Sequence, residues 1–75
     1  MNLTDMRARI QRLEKLAQGL AREASMWKKC DAPVLFEDRQ EYIEGILDSV
    51  SGLERARIAL AKMIRRGEES PRQLE

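Results

Sequence analysis

Apolar residues recur along the first third of the chain at alternating steps of three and four: Leu3, Met6, Ile10, Leu13, Ala17, Leu20, Ala24 and Trp27. This spacing holds one stripe of a helix apolar over four heptads, with Leu3, Ile10, Ala17 and Ala24 at position a and Met6, Leu13, Leu20 and Trp27 at position d. A helix over about 3–30 is predicted. Asn2 or Thr4 can cap its start by accepting a hydrogen bond from a free N–H of the first turn. The run KKCDAP ends it, because Pro33 has no N–H to donate and biases Ala32 away from helical geometry.

A second stripe, Ile43, Ile46, Val50, Leu53, Arg57, Leu60 and Ile64, predicts a helix over about 37–66, with a joint at about 31–36 and Gly67 as the permissive residue of a C-terminal cap. Tyr42, Leu47, Ala56, Ala61 and Met63 flank this stripe and make it wider than one partner helix requires. Gly45, Ser49, Gly52 and Ala56 follow one edge at steps of 4, 3 and 4. Each glycine there costs roughly 1 kcal/mol of helix propensity, which suits a place where another backbone approaches. Residues 68–75, EESPRQLE, are polar and aperiodic and are expected to be a disordered tail, and Leu74 and Glu75 match the dipeptide that expression vectors leave before a purification tag.

A short joint between two long helices makes them antiparallel neighbours, so the fold expected is an all-α two-helix hairpin about 40 Å long at about 1.5 Å per residue. Two helices alone enclose little, and chains this short generally need a further staple. Self-association into a four-helix bundle, as a homodimer, is therefore expected. Its interface would draw on Leu3, Met6, Ile10, Leu13, Ala17, Leu20, Gly45, Val50, Gly52, Leu53 and Leu60.

Composition agrees with the periodicity: 36% of the 75 residues are charged and 4% aromatic, with Leu, Ala, Ile, Glu and Arg prominent. A chain of this length has no interior for a large catalytic core. There is no histidine, no glycine-rich phosphate loop, and no nucleophile set beside a base, so no catalytic residue, metal ligand or cofactor is expected. The acid pairs Glu37/Glu41 and Glu44/Asp48 are one helical turn apart and read as an acidic surface. Cys30 cannot form an intrachain disulfide; beside Lys28 and Lys29 its thiol could be activated, but an incidental thiol at a helix end is the plainer reading. No apolar run approaches the roughly 20 residues needed to span a bilayer, and MNLTDMRARI lacks the apolar stretch of a signal peptide, so a cytoplasmic protein without membrane contact is expected.

Charge is unevenly laid out beneath a net value of +1. Residues 1–30 carry +4, Glu37 to Glu54 carry −5, and Arg55 to Arg66 carry +5. Acids early and bases late in the second helix suit its macrodipole. The hairpin would gather eight bases at its open end: Arg7, Arg9, Arg12, Arg55, Arg57, Lys62, Arg65 and Arg66. At the loop end, Lys28 and Lys29 could meet Glu37, Asp38 and Glu41. Three readings of the basic cluster compete: a solvated face bridged to acids of a second subunit, an anion site for a nucleotide or nucleic acid, and a surface for an acidic protein. The acidic middle of the second helix and the sequence pI of about 7.9 weigh against duplex binding.

Trp27, Val34, Leu35 and Phe36 fall around the joint, where they can form a plug that closes the turn or an exposed tip that anchors a protein partner. The function expected is that of a small non-enzymatic interaction protein, a regulator, inhibitor or adaptor, that binds a larger protein as a homo-oligomer. Anion, nucleotide or nucleic-acid binding through the basic cluster is the alternative.

Overall fold

The computed structural model describes residues 1–29 and 31–69. It is an antiparallel hairpin of two helices, α1 (Leu3–Lys29) and α2 (Phe36–Glu69), packed along their length into a rod of 57 × 16 × 15 Å. The rod exceeds the expected 40 Å because α2 has 34 residues, about 51 Å at about 1.5 Å per residue.

Asn2 caps α1: its Oδ1 accepts a hydrogen bond from the Asp5 N–H at 2.8 Å, and its carbonyl accepts one from Met6 N–H at 3.1 Å. At the joint, Val34 N–H donates to the Ala32 carbonyl at 2.8 Å, and Leu35 supplies the first carbonyl of α2, accepting from Arg39 N–H at 3.1 Å. Glu37 and Asp38 in the first turn of α2, and Lys28 and Lys29 in the last of α1, sit favourably on the two helix dipoles.

All eight heptad residues of α1 are buried or half-buried, and of its other described residues only Glu23 is withdrawn from solvent. In α2 the same holds for Ile43, Ile46, Val50, Leu53, Arg57, Leu60 and Ile64. Ala24, 1% exposed, Ile43 and Ile46 form the tightest part of the core, with Leu20 and Trp27 against it. A small side chain on α1 here lets two large ones on α2 reach across. Continuing this register along the rod sets Ala17 beside Leu53, Ile10 beside Leu60 and Leu3 beside Gly67.

Gly67 departs from its expected role. The helix runs through it to Glu69, Gly67 is buried, and no described glycine takes the left-handed conformation of a cap. Its place in the register explains this, since it is the next position of the seam after Ile64 and lies over the start of α1. The following residue, Glu68, accepts a hydrogen bond from the Arg7 guanidinium and ties the last turn of α2 to α1. Tertiary contact thus offsets a propensity cost of roughly 1 kcal/mol. The tail expected at 68–75 is helical at Glu68 and Glu69; its remainder, and Cys30 with the thiol reading, lie outside the described residues.

Truncating the tightest contact tests this packing. Ile43→Ala should lower unfolding free energy by about 2–4 kcal/mol in urea titrations followed by circular dichroism, because Ile43 faces Ala24, which is too small to fill the void. Ile58→Ala, on the exposed side of the same helix, should change it by less than about 0.5 kcal/mol.

Candidate functional site

Lettering α2 so that Ile43 is position a and Ile46 position d gives the hairpin two distinct flanks. One is lined by position e of both helices, where Arg7 meets Glu68, and the other by position g of both, where Tyr42 meets Glu23. This is the side-by-side order of an antiparallel pair.

The expected basic cluster is divided among these faces. Arg7 is held by Glu68. Arg57, half-buried in the seam, donates through Nη2 to Glu54 Oε2 at 3.0 Å, one turn earlier on its own helix. The hydrogen bond and charge of Glu54 hold the Arg57 guanidinium above its ordinary pKa, and the nearby charge of Glu14 adds to the effect. Arg9 and Arg12 line a shallow depression with Met1, Asp5 and Ala8 on α1, while Lys62, Arg65 and Arg66 line another with Glu69 on α2. Arg55 is exposed on the outer side of α2. The geometry therefore does not bring the eight bases to one point.

Ion pairing is the reverse of the expected distribution. Among the described residues, neither Lys28 nor Lys29 lies within ion-pair distance of Glu37, Asp38 or Glu41, whereas the open half of the hairpin holds the pairs of Arg7 and Arg57. Two sequence signals bear on this. Glu54 and Arg57 stand at the i,i+3 spacing of a helical ion pair. Glu68 lay beyond the expected helix end, so its link to Arg7 was hidden.

The loop end resolves into two parts. Trp27 and Tyr42 pack edge to face, with ring centroids 5.1 Å apart and planes at 66°. Glu23 fixes both: its Oε1 accepts the Trp27 indole N–H at 2.9 Å and the Tyr42 hydroxyl at 3.4 Å. This pair closes the end of the core. Val34, Leu35 and Phe36 stay outside it, and Leu35 and Phe36 are 70% and 69% exposed. Beside them Trp27, Val34, Asp38, Arg39 and Tyr42 line an apolar groove of about 300 Å³, and the Nε of Arg39 is buried without a partner among the described residues. The turn residues therefore do not share in one plug. Trp27 anchors the core end, and the Val34 to Phe36 step projects from it.

Of the residues expected at an oligomer interface, Leu3, Met6, Ile10, Leu13, Ala17, Leu20, Val50, Leu53 and Leu60 line the seam inside the hairpin. Gly45 and Gly52 lie on the outside of α2, where an added Cβ would meet nothing within 4 Å. Leu16, Tyr42 and Met63 are further exposed apolar residues, and all three stand at position g.

Comparison with protein-family models, with curated proteins and with solved structures gives no match to this chain. Among the described residues no helix is long and apolar enough to cross a membrane.

The seam position of Arg57 is directly testable. Because its partner Glu54 is exposed and lies on its own helix, Arg57→Leu should keep the fold and leave the melting temperature unchanged or raised, as an apolar side chain completes the seam. The measurement is a thermal melt of both proteins under identical buffer conditions.

Proposed function

We propose that the chain is a small, non-enzymatic, cytoplasmic interaction protein that acts as a homo-oligomer and docks on a larger protein through the loop end of the hairpin. The observation that carries this reading is the exposed step of Val34, Leu35 and Phe36 beside an apolar groove. Aliphatic and aromatic anchors next to a pocket are the composition of an interface hot spot. Their support is firm, since Trp27, Tyr42 and Glu23 tie the ends of both helices together just beneath them. Little ordering entropy is then left to be lost on binding. The cytoplasmic assignment rests on composition, notably a single cysteine that can make no intrachain disulfide.

Anion binding through the bases has weaker support. Arg7 and Arg57 already hold carboxylates, and the other bases lie in separate depressions or on the outer side of α2. Convergent guanidinium forks, which phosphate recognition favours, are not formed by this arrangement.

The test is affinity capture from the native host with the wild type and with Leu35→Ser/Phe36→Ser, read by mass spectrometry. A partner should be recovered by the wild type and depleted roughly tenfold or more by the double variant, whose circular dichroism stays unchanged because both side chains are exposed. Retention should be nearly constant between low and high salt. A partner released steeply by salt and indifferent to the tip variant would instead favour the basic residues.

A further inference from the structure

Two outward columns of α2, c and f, read nearly the same from either end between residues 38 and 66 with charge inverted. At position c stand Asp38, Gly45, Gly52, Ala59 and Arg66, and at position f stand Glu41, Asp48, Arg55 and Lys62, followed by Glu69 in the last turn, beyond the charge-inverted stretch. Turned about Gly52, Asp38 falls opposite Arg66 and Gly45 opposite Ala59, while Lys62 and Arg55 lie within one residue, about 1.5 Å of helix rise, of the points opposite Glu41 and Asp48. We propose that a second copy of this chain covers this face, the two α2 helices lying antiparallel about a two-fold axis at Gly52. The proposal rests on the self-association reading given above and specifies its surface and symmetry.

The helix macrodipole accounts for only part of this charge order. Its influence falls off within the first and last turn. Asp48 and Arg55 lie several turns inside α2, and neither makes an ion pair among the described residues. The flank at position e is arranged differently: Glu54 and Glu68 lie in the basic half of the helix and are engaged by Arg57 and Arg7 of the same chain. Charges on that flank serve the hairpin, while Asp38, Glu41, Asp48 and Arg55 at c and f make no ion pair among the described residues and would find complements in a second copy.

The two glycines point to the same occupant. Gly45 and Gly52 each cost about 1 kcal/mol of helix propensity, and within the hairpin nothing lies near enough to require them. In the two-fold arrangement they fall at and beside the crossing point, where absent side chains let two backbones approach. Ser49 needs no partner there, because its hydroxyl already donates to the Gly45 carbonyl at 3.0 Å. An isologous contact requires such a self-complementary surface, with small residues at its centre and opposite charges at its ends. Gly52 and Phe36 are separated by about 24 Å of helix, so the two loop-end tips would stand about 50 Å apart and face opposite ways, giving a bivalent binder.

Two charge variants of the full chain test the interface: Glu41→Lys/Asp48→Lys, whose outer column is basic from residue 41 to residue 62, and Arg55→Glu/Lys62→Glu, whose outer column is acidic throughout. Sedimentation equilibrium should show a wild-type dimer at micromolar concentration, each variant alone associating roughly tenfold or more weakly, and an equimolar mixture recovering wild-type affinity as a heterodimer. If a variant loses its fold when alone, recovery of the helical circular dichroism signal on mixing is the same readout. Gly52→Gln should likewise dissociate the dimer without loss of helix. Variants that dimerise as tightly as the wild type, or a mixture no better than its components, would overturn the interface and leave self-association standing. A wild-type monomer at every concentration would remove both.

Discussion

The hairpin has a single shared seam, and every buried side chain must find its neighbours on one facing helix. Nothing lies behind either helix to fill an error. This makes the alternation of small and large residues decisive: Ala24 and Ala17 on α1 allow α2 to come close, and Ile43 and Ile46 occupy the space that Ala24 leaves. The consequence reaches both ends of the rod. Near the loop, the closeness set by Ala24 brings Trp27 and Tyr42 into edge contact under one carboxylate. At the open end, the same register carries a buried glycine and Glu68 over the beginning of α1.

With so narrow a core, the polar residues beside it divide labour by flank. On the e side, Glu14, Glu54 and Glu68 surround Arg57 and Arg7, so a cation in the seam is neutralised without leaving the chain. These contacts are exposed or half-exposed, and their contribution to stability is correspondingly small. The Arg7–Glu68 pair links the two helices, while Glu54 neutralises Arg57 within α2. On the opposite flank Glu23 turns inward to two aromatic donors, while Leu16, Tyr42 and Met63 remain partly in solvent. Apolar surface beyond the seam thus gathers on this flank, with Leu47 on the e side and Met26 and Ile58 on the outer faces standing singly.

Much of the fold was legible because the pattern of threes and fours leaves little freedom. Each of the eight heptad residues from Leu3 to Trp27, and each seam residue from Ile43 to Ile64, lies where its spacing put it. What escaped the sequence depended on register between helices. Gly67 carries every local sign of a cap, and only its position opposite the start of α1 keeps it helical. The basic residues look like one cluster when counted along the axis of a hairpin, but around the axis they occupy different columns and diverge. Trp27, Val34, Leu35 and Phe36 are close in sequence, yet the turn directs the first inward and leaves the other three outside.

The loop end carries an apolar surface that folding alone does not call for. Leu35 sits at the N-cap of α2, since its carbonyl accepts the first helical hydrogen bond from Arg39. Serine, aspartate or asparagine at that place would satisfy a free N–H of the first turn and stabilise the helix by about 1 kcal/mol. The chain takes such a cap at α1, where Asn2 provides it, and forgoes it at α2 for a side chain that lies 70% in water. Phe36 follows in the same state, although Tyr42 and Trp27 close the core without it. In a domain whose single seam leaves small margins, two consecutive large apolar residues in solvent at an uncapped helix start have a cost to stability and solubility. The partner proposed for this end would supply the compensation that the hairpin does not contain.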